Sequence, residues 1–184
     1  VDDQLRIAEQ LDRLGVAFIE GGWPGANPKD DEFFTRARTE LNLLTSQFVA
    51  FGSTRRAKGK VDSDQTLANL VSAGTEVVCI VGKCWDYHVT EALNTTLDEG
   101  IAMVADSVEY LVSKGKRVFF DAEHFFDGYK NNPNYALDCL KQAYDEGARW
   151  VVLCDTNGGT LPNEVGEIIN KVAKIIPGKN LGIH

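Results

Sequence analysis

The run RVFFDAEHFFDGY, Arg117 to Tyr129, decides how the chain is read. Val118, Phe119 and Phe120 have the composition of a strand covered on both faces. Asp121, Glu123 and His124 follow at once. Ionisable groups at the end of a buried strand are costly unless paired or used, and ligands in parallel α/β folds gather at the C-terminal ends of strands. One such residue is ordinary cap or loop chemistry. Three together, echoed at other strand ends, mark a site.

Working outward, Asn134 to Glu146 predicts a helix stopped by Gly147, and Trp150 to Cys154 predicts a strand running into Asp155-Thr156-Asn157-Gly158-Gly159. Pro162 to Ile176 predicts the last helix, and Leu181 to His184 begins one more strand. On the other side, Thr90 to Lys114 reads as one long helix with Thr90 as cap, an apolar stripe from Leu93 to Leu111, and Gly115 as stop. Before it come a strand at Val77 to Val81 and the polar, aromatic loop Trp85-Asp86-Tyr87-His88. Asp64 to Ala73 is a short helix closed by Gly74, and Phe48 to Phe51 is a strand ending in Gly52-Ser53-Thr54-Arg55-Arg56. Pro28 to Leu44 predicts a helix with Asn27 as cap. Val16 to Ile19 is a strand ending in Glu20 and a glycine-rich loop, and Asp2 to Leu14 is a helix ended by Gly15.

Six strands thus alternate with six helices, the signature of repeated βα units. A doubly wound sheet with a phosphate loop needs GxGxxG after its first strand, and GGWPGANP is not that. A (βα)8 TIM barrel needs polar or glycine residues at every strand end, which this chain has, but normally about 250 residues. The fold expected is therefore a TIM barrel present as about six of its eight βα units. The stop at Ile183-His184, in mid-strand, reads as a boundary on a longer chain. The wall should gape between its first and last strands, with Glu20, Glu123, Thr156 and His184 at one mouth.

Composition narrows the function. A formal charge of −8 argues against nucleic-acid and anionic-membrane surfaces, since both need basic patches; the one basic cluster is Arg55, Arg56, Lys58 and Lys60. No apolar run approaches the roughly 20 residues of a membrane span, and no signal peptide precedes Val1. Cys79, Cys84, Cys139 and Cys154 form no CxxC pair and read as reduced packing cysteines of a cytoplasmic protein.

The strand ends IEGGWPGANP, AFGSTRR, GKCWDYHV, DAEHFFDGY and CDTNGGTLP resemble, over essentially the whole chain, the citramalate synthase branch of the isopropylmalate synthase and HMG-CoA lyase superfamily, metal-dependent TIM barrels that make or break carbon–carbon bonds next to acyl-CoA thioesters. DAEHFFDGY and CDTNGGTLP are specific to that branch. The resemblance implies an acyltransferase condensing acetyl-CoA with the 2-keto acid pyruvate in isoleucine biosynthesis, with a divalent ion (Mn, Zn or Mg) as cofactor, acting as a homodimer. It implies that Glu123 takes part in proton transfer and that Thr156 receives the keto-acid carboxylate. Glu20 and Asp121 would face the substrate, and His184 would be the first histidine of a His-x-His metal pair. The family's Arg-Asp pair on the first barrel strand is not in the chain.

Each assignment has a structural rival. Glu123 could simply pair with Arg117, Lys130 or Arg55, and Thr156 could close a turn or cap a helix. His124 reads as a support rather than a ligand. Isopropylmalate synthase, homocitrate synthase and HMG-CoA lyase activities are alternatives within the superfamily. A Schiff-base aldolase using Lys83 and a non-catalytic binding domain are the alternatives outside it.

Overall fold

The computed structural model describes residues 1–184. Six parallel strands form one sheet in strict sequence order: β1 (Phe18–Glu20), β2 (Gln47–Ser53), β3 (Val77–Lys83), β4 (Arg117–Glu123), β5 (Trp150–Leu153) and β6 (Leu181–Ile183). Between them run α2 (Pro28–Glu40), α3 (Gln65–Ser72), α4 (Leu97–Ser113), the pair α5 (Phe125–Asn131) and α6 (Pro133–Asp145), and α7 (Pro162–Val172), with α1 (Asp2–Leu14) leading in. No helix is long and apolar enough to cross a membrane.

The sheet curls. A flat sheet holds strands about 4.8 Å apart, so β1 and β5 would stand about 19 Å from one another. Instead the rings of Phe18 on β1 and Trp150 on β5 meet edge-on at 5.2 Å, and both touch Phe119 on β4, at 4.9 and 4.8 Å. These rings, with Val49 and Val77, fill the interior of a barrel wall. β1 pairs only with β2 and β6 only with β5, so the wall is open between its first and last strands. This is the six-unit portion of a TIM barrel, with the gap where the sequence places it.

Period-two alternation along β4 separates two environments. Val118, Phe120 and Ala122 point outward and are fully buried with Val104, Val108 and Leu111 of α4 and Leu140 of α6. Burying Phe120 alone stabilises by about 2–3 kcal/mol. Phe119, Asp121 and Glu123 point inward. Asp121 and Glu123 thus belong to the strand itself, which runs three residues beyond the predicted Phe120.

Several elements differ from the sequence reading, α7 among them, which ends at Val172 rather than Ile176; three do so for a local reason. The helix predicted to run to Leu44 stops at Glu40, because Asp12 of α1 draws the next segment into an extended path. Its carboxylate accepts from the N–H groups of Leu44 (2.9 Å), Thr45 (2.9 Å) and Ser46 (2.7 Å). The helix predicted over Thr90 to Lys114 is broken. A single π turn spans His88–Ala92, Asn94 takes a left-handed conformation (φ 49°), and Thr96 rather than Thr90 caps α4 by accepting from Glu99 N–H. The third is α5, where the sequence predicts no helix. It depends on Gly128, where any Cβ would fall 2.1 Å from the carbonyl oxygen of Cys84, so the helix lies directly on the backbone after β3.

Candidate active site at the strand ends

Because all six strands are parallel, their C-terminal ends share one rim, and Glu20, Glu123, Thr156 and His184 stand on it together. Two layers of polar side chains lie above the apolar interior. The lower consists of Glu20, Cys79 and Asp121, whose ligand-capable atoms lie within 4.8 Å of one another. Burial pushes the Glu20 carboxyl up, and the neighbouring Asp121 adds to this. Burial also raises the Asp121 carboxyl, while His184 opposes the rise in both. As a residue Glu20 is exposed along the open edge of β1, yet its carboxyl is turned inward to this group. Burial drives the Cys79 thiol far above the usual thiol range, so it sits there as a neutral group.

The upper layer is the ion pair of Lys83 and Glu123, neighbours in register across β3 and β4. None of the rivals predicted for Glu123 engages it. Arg117 pairs with Glu76 at 2.7 Å, Lys130 with Glu164 at 3.2 Å, and Arg55 with Glu99 and Asp106. Lys83 is itself fixed from behind, since the buried Tyr135 hydroxyl donates to its carbonyl oxygen at 2.9 Å.

Thr156 lies within the Asp155–Gly158 turn, which a bond from Gly158 N–H to the Asp155 carbonyl oxygen closes at 2.7 Å, and its side chain neither closes that turn nor caps a helix. Its hydroxyl oxygen accepts from His124 N–H at 2.9 Å, joining the loops after β5 and β4, while Asp155 organises the turn by accepting from Thr160 N–H and hydroxyl. The Thr156 O–H is left to donate outward. His124 adopts φ 52°, uncommon for a residue with a side chain. Its Nδ1 lies 3.3 Å from Asp127, which also accepts from Asn157 at 3.0 Å.

Sequence reasoning missed the aromatic wall of the rim. His88 meets His124 edge-on at 4.6 Å, with Trp85 4.7 Å from the first and 5.6 Å from the second. Burial and the nearby His124 and Lys83 hold the His88 imidazole below its usual range, hence neutral near pH 7. The signal was present as WDYH, but the π turn that presents it has no sequence rule. A cavity of about 530 Å3 opens at this end of the strands, with Lys83, Glu123, Trp23, Arg56 and Leu93 among the residues that line it. A second cavity of about 310 Å3 lies by Gln47 and Glu76 at the opposite end of the strands, away from these groups.

Residues 1–184 match the HMGL-like family. The chain is 54% identical over 184 residues to the (R)-citramalate synthase of Aquifex aeolicus (strain VF5), covering all of this chain and 35% of that protein. It is also 54% identical over 189 residues to the (R)-citramalate synthase of Synechocystis sp. (strain ATCC 27184 / PCC 6803 / Kazusa), covering 99% of this chain and 34% of the relative. It therefore spans about a third of the length of these relatives. Among solved structures it superposes on the HMG-CoA lyase of Brucella melitensis with a TM-score of 0.76 at 17% identity, over all of this chain and 64% of the other. That likeness concerns the barrel alone.

Proposed function

The chain belongs to the HMGL-like family, and from that premise we propose that its strand-end rim is part of the active site of an acyltransferase that condenses acetyl-CoA with pyruvate to give citramalate and CoA. The observation that carries this reading is the inward-facing Glu123, held by Lys83 on the same rim as Thr156, Glu20, Asp121 and His184.

Glu123 takes a proton from the methyl carbon of the acetyl thioester. The resulting enolate carbon forms the new bond to the keto carbon of pyruvate, whose oxygen acquires the electron pair and then a proton. Water hydrolyses the thioester and releases CoA. Thr156 donates its free O–H to the pyruvate carboxylate while His124 N–H fixes its oxygen. Lys83 holds Glu123 in orientation through the strand register.

A divalent cation fits the lower layer. Glu20 and Asp121 are inward-turned carboxyls with no Lys or Arg against them, and His184 lies near enough to act on both, an oxygen and imidazole donor set suited to Mn, Zn or Mg. His184, with Asp121 and Glu20 beside it, would hold the ion, which when bound supplies Lewis-acid polarisation of the keto group. The same reading makes the protein a cytoplasmic, homodimeric enzyme of isoleucine biosynthesis.

In the protein that carries this chain, Glu123→Gln lowers kcat by about 10²-fold with pyruvate binding retained. An unchanged kcat removes Glu123 from the chemistry. Borohydride trapping of pyruvate on Lys83 would replace this reading with a Schiff-base aldolase.

A further inference from the structure

The cavity of about 310 Å3 at the N-terminal ends of β2 and β3 is lined by the last turns of α2 and by the turn after α3. The extended segment that Asp12 holds after α2 adds Leu41 and Leu43 to its wall, and Phe34 and Phe48, with ring centroids 5.4 Å apart, add aromatic surface. Its polar side chains are Arg38, Gln47, Thr75 and Glu76. Three of these four have donors to spare. Thr75 is 6% exposed and its hydroxyl meets no hydrogen-bond partner, a costly state for a buried group. Arg38 donates from Nε to the Ala73 carbonyl oxygen at 3.3 Å and from one Nη to that of Ser72, which leaves its other Nη free. Gln47 accepts from Arg117 at 2.7 Å through Oε1, while its amide N–H groups find no acceptor. Glu76, the one carboxylate in the lining, is already taken by Arg117 at 2.7 Å. Lys116 donates to the Thr75 carbonyl oxygen at 2.6 Å without a carboxylate partner, and burial, then the Arg38 charge, hold its ammonium below the usual range. Both cations therefore sit on carbonyls just beyond α3, whose dipole offers about half a negative charge against two positive ones.

Apolar walls with a few convergent polar groups, in a space at the lower end of the roughly 300–1,000 Å3 of small-molecule sites, describe a pocket for a small metabolite. Water can pair the Thr75 hydroxyl, but it leaves the two cations unbalanced. An anion answers both, and Arg38 reaches solvent, from which one can approach. Inorganic phosphate would leave the apolar wall bare, and a zwitterion would need a free carboxylate, which Glu76 is not. We propose that this cavity binds a small organic monocarboxylate carrying an apolar chain, its carboxylate against Arg38 and the Thr75 hydroxyl and its chain against Phe34 and Phe48. The site is separate from the strand-end rim and does not depend on the reaction assigned there.

The test is a ligand-detected NMR titration of the protein that carries this chain with pentanoate, pentanamide and inorganic phosphate, repeated on Thr75→Val and Arg38→Gln. Wild type binds pentanoate saturably below about 10 mM, and the other two about tenfold more weakly or worse. The preference for pentanoate over pentanamide shrinks with salt. Thr75→Val removes a hydroxyl that has no partner, so without ligand it melts no lower than wild type, yet it loses about tenfold in affinity for pentanoate. Arg38→Gln also loses about tenfold or more; where that variant is too unstable to assay, Thr75→Val decides alone. Pentanamide binding as tightly as pentanoate removes the cation from recognition, phosphate binding as tightly makes this a bare anion site, and either result overturns the assignment. Pentanoate affinity unchanged in either folded variant places the ligand elsewhere and also overturns it, as does the absence of saturable binding by wild type. A Thr75→Val protein that melts well below wild type shows the hydroxyl to be partnered within the fold and removes the basis of the site.

Discussion

Replacing Tyr135 by Phe tests how the back of the rim is held. The hydroxyl is buried in a residue 3% exposed, donates to the Lys83 carbonyl oxygen at 2.9 Å, and occupies the notch left by Gly100 of α4, where a Cβ would lie 2.4 Å from it. Burial pushes the phenol far above its usual range, so it remains a donor at any working pH. The variant keeps the ring and its contacts but deprives a buried carbonyl of this donor, which costs about 1–3 kcal/mol. For a domain of this size each kcal/mol lowers Tm by about 2–4 °C, so the expected drop is about 2–12 °C. Gly100→Ala alone should also destabilise, because its methyl meets the hydroxyl. In the double variant that methyl enters the vacated space, and the helix gains up to about 1 kcal/mol from Gly→Ala. The two losses should therefore fall short of additive by about 1 kcal/mol or more. Urea unfolding of the four proteins, with a common m value, measures this coupling. A Tyr135→Phe variant within about 0.3 kcal/mol of wild type, or strict additivity, would refute the reasoning.

Thr156→Val should weaken pyruvate binding by roughly 1.5–3 kcal/mol, as expected for a hydrogen bond to a charged group; equal affinity by titration would leave Thr156 as a tie between loops. Gly128→Ala places a methyl against the Cys84 carbonyl, and since backbone cannot yield as a side chain does, the loss should reach about 1–3 kcal/mol or more in denaturant; a stable variant would mean that α5 sits further from β3. Asp12 accepts three backbone N–H groups and the Thr45 hydroxyl, which hold its carboxyl well below the usual range. A carboxyl depressed by folding stabilises fully above the unfolded value of about 3.9 and loses that contribution as pH falls through the folded one. Wild type should therefore lose stability below about pH 4 more steeply than Asp12→Asn, and parallel acid profiles would show that these contacts carry no linkage.

The barrel wall was legible because each strand announces itself by a short apolar run and four of the helices by a stop glycine. Phe119 to Phe120 fixes β4, and Gly15, Gly74, Gly115 and Gly147 all take the positive φ that such stops need. The rim was legible in part. Parallel strands bring their C-terminal ends together whatever lies between, so the strand ends could be grouped from chain order, while the family resemblance singled out Glu123, Thr156 and His184 among their residues. Partners could not. Glu123 meets Lys83 because β3 and β4 pair in one register, and register depends on packing across the whole sheet rather than on either strand. The helix break at Asn94 escaped the sequence reading because Leu93 and Leu97 continue the same apolar stripe, and the stripe outweighed a lone asparagine able to adopt φ 49°. The end of α2 depended on Asp12, about thirty residues away in sequence.

The four cysteines act as a built-in set of reporters. None is disulfide-bonded and all are buried, between 0 and 5% exposed. Cys84 and Cys139 lie in the layer between sheet and helices, whereas Cys79 faces the barrel interior beside Glu20 and Asp121. Burial holds Cys79, Cys84 and Cys154 as unreactive thiols. A thiol reagent can therefore modify them only during transient openings, and its rate at each cysteine clocks how often that layer breathes. Faster labelling of Cys79 than of Cys139 would show the wall parting along its open side before the helices lift away, and the order would reverse if the helices peel first.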